Sequence, residues 1–326
     1  MKKVISVLVS LMMLVSLLAG CGAAEESGAK TSFKIAIVQQ LDHSSLDEIR
    51  EAIKAQLNAL AEPTNYTLTI KEFNGQNDAS VLNQIGAEVV SDGYDMIIPI
   101  ASLAAQCMVT ANEDAGIPIV YAAVSDPAAI GLTGIDKVTG TSDALNTAFI
   151  LDMMFKVQPD IQTVGLLYSN SEPNSETPIA QAKEYLDAKG IPYVEKTGNT
   201  ADEVIAAASA LVGQADAVFT PTDNAIMAAE ASVAEILNDA GIPHYAGADS
   251  FVISGAFTTC GVNYTELGTK TADMAFDILM GGEFPEFHVM DGGIITVNTD
   301  TAAALNLDYS VFAEMANTVV EVTTGA

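Results

Sequence analysis

The feature that most constrains the fold is a strand-and-helix unit that occurs twice. Between residues 33 and 124, the runs FKIAIV (33–38), TLTIKEF (67–73), DMIIPI (95–100) and IPIVYAAV (117–124) alternate with helical periodicity at about 45–60, 78–91 and 103–115. A second series follows: TVGLLY (163–168), PYVEKT (192–197), DAVFTP (216–221) and IPHYAGA (242–248), with helices after Pro178 and at about 201–212 and 224–240. YDMIIPIASLAAQ (94–106) matches ADAVFTPTDNAIM (215–227), and AGIPIVYAAVSD (115–126) matches AGIPHYAGADS (240–250), each about 120–130 residues apart, which marks one duplicated α/β unit. Near-continuous apolar strands separated by helices predict parallel sheets covered on both faces. The fold class is therefore α/β, with two doubly wound parallel-sheet lobes and a ligand cleft between them.

The start of the chain reads as an export segment. Lys2 and Lys3 precede an apolar run from Val4 to Ala19, which is short for a membrane span of about 20 residues. The run ends in LAGC (18–21), which resembles a bacterial lipobox and implies cleavage before Cys21 with lipid attached to its sulfur. Residues 1–20 are thus a signal peptide and 21–32 a lipidated tether, with a root-mean-square reach of about 18 Å for its small polar part. The protein is expected at the extracytoplasmic face of the cell membrane, held there by lipid. The remaining cysteines, Cys107 and Cys260, sit in apolar settings and read as buried small hydrophobes.

Charge excludes one class of partner. The 326 residues carry 42 acidic and 13 basic side chains, a formal net charge of −29, with no cluster of Lys or Arg to grip phosphates. Losing the leader leaves 11 basic against 42 acidic residues, a net −31. Nucleic acid is not an expected partner, and the acidity suits a soluble, self-repelling surface.

In open α/β sheets ligands sit beyond the carboxyl ends of the strands, so the cleft residues should follow each strand. Those segments are QQLDHSSLDE (39–48), ASLAA (101–105), SDP (125–127), TSD (141–143), SNSEPNSE (169–176), TPTDN (220–224) and ADS (248–250). None holds Lys or Arg, and Arg50 is the only arginine of the chain. An anionic group would rest on helix N-termini and hydroxyls, for which Ser102, Ser171 and the Ser44–Ser45 pair are placed. An ammonium would meet Asp126, Asp143, Asp223 or Asp249. A zwitterion such as an amino acid satisfies both demands.

Each acid also has a structural reading. Asp126 before Pro127 suits a turn, Asp143 a cap for a helix near Leu145, and Asp249 reads either way. Asp223 is read as the carboxylate that holds the ligand's ammonium, because Thr222, Asp223 and Asn224 together exceed what one cap needs. On that reading Asp223→Ala abolishes amino-acid binding and leaves the fold intact. His43 lies in the first cleft loop, and His244 lies inside an apolar strand. Leu41, Leu103 and Pro173 are placed to sandwich an aromatic ring or to pack. No HExxH, GxSxG, Walker or GxGxxG pattern occurs, so no catalytic residue, metal or cofactor is expected and the chain does not read as an enzyme.

The phrases IAIVQQLDHSSLDE, FNGQND with NQIGAEVVSDGYDMII, IPIVYAAVSDP, GLLYSNSEPNS, VFTPTDN and CGVNYTELG, with the lipobox, resemble the ABC-transporter substrate-binding lipoproteins of the tryptophan/tyrosine-binding type, over residues 33–310. The resemblance implies periplasmic-binding-protein-like lobes of type I, joined by crossings near 141–147, 257–264 and 288–296. Lobe one would comprise 33–143 plus 263–288, including a returning helix at about 265–280, and lobe two 144–262 plus 289–326. It further implies a monomer that closes on a small ligand, an aromatic amino acid, and delivers it to an ABC permease with its ATPase. By position it carries His43, Ser44, Ser102, Ser125, Ser142, Asp143, Ser169, Ser171, Asn174, Ser175, Asp223, Asn224 and Asp249 into the binding loops. A nucleoside or sugar receptor of the same fold, or a surface adhesion lipoprotein, are the alternatives; few aromatic platforms stand at the strand ends to favour a sugar.

Overall fold

The computed structural model describes residues 30–325; the leader, Cys21 and most of the tether lie outside them. The first sheet is built from β1 (Ser32–Gln39), α1 (Ser44–Ala61), β2 (Thr67–Asn74), α2 (Ala79–Asp92), β3 (Met96–Ile100), α3 (Ser102–Ala111), β4 (Ile119–Tyr121) and β5 (Val138–Ser142). The chain then enters the second lobe through α4 (Thr147–Val157), β6 (Val164–Tyr168), α5 (Pro173–Lys189), β7 (Tyr193–Thr197), α6 (Ala201–Leu211), β8 (Ala217–Thr220), α7 (Asn224–Met227) and α8 (Glu230–Asp239). It continues with β9 (His244–Ala246), α9 (Asp249–Ile253) and β10 (Thr258–Gly261), and returns to the first lobe with α10 (Tyr264–Leu279) and β11 (His288–Val289). It ends in the second with β12 (Ile294–Asn298), α11 (Thr299–Ala304), α12 (Phe312–Met315) and β13 (Thr318–Val322).

The sheets run β11-β5-β4-β3-β1-β2 and β13-β12-β10-β9-β8-β6-β7. All pairs are parallel except β10 with β12. Central strands are apolar throughout because both faces are covered: all five residues of β3 and all four of β8 are buried. β2, at an edge, has no fully buried residue. Helix α10 packs along α1, and Gly268 makes this possible: a Cβ there would lie 2.6 Å from the Ile49 carbonyl oxygen.

Two helices depart from expectation. The helix expected after Pro178 begins at Pro173, whose fixed φ suits the first turn, and runs through Pro178 in its interior. The helix expected at 224–240 is two, α7 and α8, broken at Ala228–Ala229. Past the break Glu230 is buried, 2.9 Å from His244 Nδ1, while His244 Nε2 lies 2.8 Å from Thr220 Oγ1. The strand histidine is thus a partnered core residue. Cys107 and Cys260 are buried free thiols.

The lobes are in contact across the cleft. Gln40 Nε2 donates to Glu172 Oε1 (2.8 Å), Thr177 Oγ1 donates to Asp126 Oδ2 (2.8 Å), His43 Nε2 lies 3.0 Å from Asn224 Oδ1, and Ser125 Oγ lies 3.2 Å from Thr222 Oγ1. At about 1 kcal/mol net per hydrogen bond, these four contacts contribute only a few kcal/mol. A ligand touching both lobes can therefore move that balance.

Candidate functional site

The strand ends of both lobes enclose a narrow cavity. From the first lobe come His43, Ser45 and Leu46 at the N-terminus of α1, Ala101 and Ser102 at that of α3, and Ala123, Ser125, Asp143 and Tyr264. From the second come Asn174, Thr222, Asp223, Asn224, Met227, Ala248, Ser250 and Phe251. Backbone strain collects here: Ala101 (φ 77°) and Ala123 (φ 53°) hold left-handed conformations at consecutive strand ends of the first sheet. The 221–222 loop approaches so closely that a Cβ on Gly247 would lie 2.4 Å from the Thr222 nitrogen.

Five buried polar atoms in this cavity have no protein partner: His43 Nδ1, Ser45 Oγ, Ser102 Oγ, Asn174 Oδ1 and Ser250 Oγ. Such atoms are rare in folded proteins and costly when unpaired. Here all five belong to residues that line one space. Asn174 Nδ2 donates to the Thr222 carbonyl, which only accepts, so Oδ1 must be the atom facing the cavity. A larger groove of about 630 Å³ lies beside Asn146, Gly293 and Asn317, but none of these unpartnered atoms lines it.

The carboxylates differ in what already holds them. Asp223 caps α7: its Oδ1 accepts from the Ile226 N–H (3.0 Å), and its Oδ2 accepts from the Ser169 N–H (2.6 Å) and Ser175 Oγ (2.7 Å). Asp143 accepts from Ser125 Oγ (2.9 Å), from its own backbone N–H and, at 3.5 Å, from the Tyr264 hydroxyl. It caps no helix, because α4 starts at Thr147 under Asn146. Burial pushes both carboxyls above their ordinary range, and neither Lys nor Arg lines the cavity. Arg50 faces outward, 2.9 Å from Asp47 and 3.3 Å from Glu72.

Of the residues expected in the binding loops, His43, Ser102, Ser125, Asp143, Asn174, Asp223 and Asn224 line the cavity. Ser44 is exposed, and its neighbour Ser45 takes the inward position. Ser142 Oγ donates to the Ser125 carbonyl (3.0 Å). Ser169 and Ser171 bond each other (2.7 Å), and Ser175 supports Asp223, so these three brace the second-lobe loops behind the cavity. Asp249 stands one residue outside, its carboxyl raised to about 6 by burial and by the charge of Glu48, while Ser250 faces in. Asp126 accepts from the Ala129 N–H (2.9 Å), as a turn former does. Leu46, Met227, Phe251 and Tyr264 form the apolar lining, with Leu41, Leu103 and Pro173 outside it.

Sequence reasoning named Ser45 only as one of a pair with Ser44, and it passed over Ser250, Phe251, Tyr264 and above all Glu172. The last is 1% exposed and accepts from Gln40 Nε2 and Asn224 Nδ2, both at 2.8 Å. Burial and then the charge of Asp223 push its carboxyl up to about 8. Groups with folded pKa values above the ordinary 4–4.5 bind protons more tightly folded than unfolded. Their stabilisation is complete below about pH 4 and is lost as pH rises through the folded values, here to about 8. The melting temperature of the ligand-free protein is accordingly expected to fall as pH is raised from 5.5 to 8.5. A scanning calorimetry series that is flat or rises over this window would contradict the burial of these acids.

Among the described residues no group of three His, Cys, Asp or Glu is arranged to hold a metal, and no helix is long and apolar enough to cross a membrane. Residues 34–317 match the family described as ABC transporter substrate binding protein. A tyrosine-binding protein of Clostridioides difficile strain R20291 is 33% identical over 322 residues, 94% of this chain and 93% of its own. The ABC domain from Streptococcus pneumonia solved in complex with L-Trp is 26% identical and superposes with a TM-score of 0.82 over 89% of this chain and 100% of that one. A substrate-binding protein with adhesive properties from Clostridium difficile, in its ligand-free, open structure, is 33% identical with a TM-score of 0.66 over 90% of this chain and 99% of that one.

Proposed function

The chain belongs to the ABC transporter substrate-binding proteins, and from that premise we propose that it is a lipid-anchored extracytoplasmic receptor for an aromatic amino acid, which it encloses by hinge closure and hands to an ABC permease. The observation that carries the ligand class is that five unpartnered polar atoms belong to residues lining one cavity that holds Asp143 and no cation. Asp143, His43 Nδ1 and Asn174 Oδ1 accept hydrogen bonds, as an ammonium requires. Ser45 and Ser102 stand in the first turns of α1 and α3, where hydroxyls and backbone N–H groups suit a carboxylate. Leu46, Met227, Phe251 and Tyr264 offer the apolar contact that a ring needs.

Closure is the second element of the reading. The cross-lobe bonds seal the cavity, so a ligand enters only when they part. Agreement is better with the L-Trp complex at 26% identity than with the ligand-free, open structure at 33%, which supports a hinge whose closed form is the loaded one. The names of the relatives support tyrosine or tryptophan as the ligand.

A thermal-shift panel tests this directly. L-Tryptophan or L-tyrosine at about 100 times its dissociation constant should add about 2.7 kcal/mol of stability. A melting curve moved by a nucleoside or sugar and unmoved by L-tryptophan, L-tyrosine and L-phenylalanine would end the reading.

A further inference from the structure

Beside the cavity, a directed chain of polar side chains crosses from one lobe to the other. It starts at the Leu103 backbone N–H, which donates to Gln40 Oε1 at 3.2 Å. A backbone N–H can only donate, so the Gln40 amide cannot be reversed. Its Nε2 donates to Asn77 Oδ1 (2.7 Å) and, across the cleft, to Glu172 Oε1 (2.8 Å). Glu172 Oε2 accepts from Asn224 Nδ2 (2.8 Å), which turns Asn224 Oδ1 toward His43 Nε2, 3.0 Å away. That oxygen only accepts, so Nε2 must carry the ring proton. Burial holds the His43 pKa below its ordinary value, so above that range and with Glu172 ionised the ring is neutral and Nδ1 is left as a bare acceptor. Nδ1 is one of the unpartnered atoms of the cavity.

We infer that Glu172, which does not line the cavity, is a positioning residue that fixes the tautomer of His43 and thereby makes the site select ligands that bring an N–H or O–H donor to Nδ1. The inference rests on the proposed function and adds a specificity determinant to it. The substitution Glu172→Gln changes little in shape and reverses the far half of the chain. The introduced amide would keep its oxygen toward Gln40 Nε2 and turn its N–H group toward Asn224. Asn224 Oδ1 would then face that donor, Nδ2 would face His43 Nε2, and the ring proton would move to Nδ1. A donor would meet the ligand's donor.

Protonating Glu172 on Oε2 has the same effect, so pH reads the same device. The charged or titratable groups around the chain are Asp223 from the loop before α7, and Asp42 and Asp47 from the β1–α1 loop and α1 beside His43.

The test is ring-nitrogen NMR on protein labelled with 15N-histidine, which holds only three histidines. His43 is assigned by replacing His244 and His288 in turn. Saturated with L-tryptophan at about pH 8.5, above the ordinary His range, wild type should show the Nε2–H tautomer, and Glu172→Gln the Nδ1–H tautomer. Affinity for L-tryptophan should fall about tenfold or more in Glu172→Gln, with no loss in ligand-free melting temperature. Lowering pH to about 7, below the Glu172 value of about 8 and still above the ordinary His value, should move the wild-type signature toward that of Glu172→Gln and leave the variant unmoved. The same tautomer in both proteins would overturn the inference, as would a variant that loses stability and affinity with its ring signature unchanged. If L-tryptophan and L-tyrosine bind neither protein, the functional reading falls. In that case this inference falls with it, because the chain spans the lobes only in the closed form; where binding is kept, the tautomers alone decide the inference.

Discussion

Asp143→Asn should weaken binding of L-tryptophan or L-tyrosine by at least about 30-fold, since removing one partner of a buried, hydrogen-bonded charge pair costs about 2–5 kcal/mol. Asp143 has acceptor capacity left after Ser125, its own backbone N–H and the distant Tyr264 hydroxyl, and no cation lines the cavity to occupy it. The ligand-free protein should be unharmed. Asn is nearly the same shape, its oxygen can still accept from Ser125, and a buried charge whose pKa is already raised disappears. Calorimetric titration and a melting curve together check this. Affinity within about threefold of wild type would remove Asp143 from the ammonium site.

Asp223→Ala should have the opposite signature. It removes the cap of α7 and leaves the buried Ser169 N–H and Ser175 hydroxyl without their acceptor. A lost cap costs about 1 kcal/mol and each stranded donor about 1–3; relief of a buried carboxylate offsets part of this. A net loss of about 3 kcal/mol is expected, read as a drop of roughly 6–12 °C in Tm. The protein that remains folded at low temperature should still bind, more weakly because Thr222 and Asn224 flank the cap. An unchanged Tm with binding abolished would restore Asp223 as the carboxylate that holds the ligand's ammonium, the role its place in TPTDN first suggested.

The architecture was legible because burial on both faces of a parallel sheet leaves apolar runs such as DMIIPI, and because the unit is written twice. The loops of the cavity were legible for a related reason, since ligand residues follow strand ends. Within those loops the reading slipped by single residues. Ser44 gave way to Ser45 and Asp249 to Ser250, because the turn at which a helix begins decides which side chain faces inward. That rotation is set by packing, as where α1 meets α10. The capping strength of Asp223 was hidden too, because its donors, Ser169 and Ser175, lie about 50 residues away on another strand end. Glu172 left no sequence signal. An acid before proline reads as surface loop, and its partner Gln40 is 132 positions away in the other lobe.

On the proposed function, one closed cavity reads both ends of an aromatic amino acid. Isothermal titration with L-tyrosine and L-tryptophan, set beside tyramine and 3-(4-hydroxyphenyl)propionate, tests it most directly, because the latter pair keeps the phenol ring and removes one charge each. Saturable binding of at least one amino acid is predicted, with tyramine and the propionate each weaker than L-tyrosine by about 100-fold or more if tyrosine is the ligand. Equal affinity for tyrosine and either analogue, or no binding of either amino acid, would contradict it.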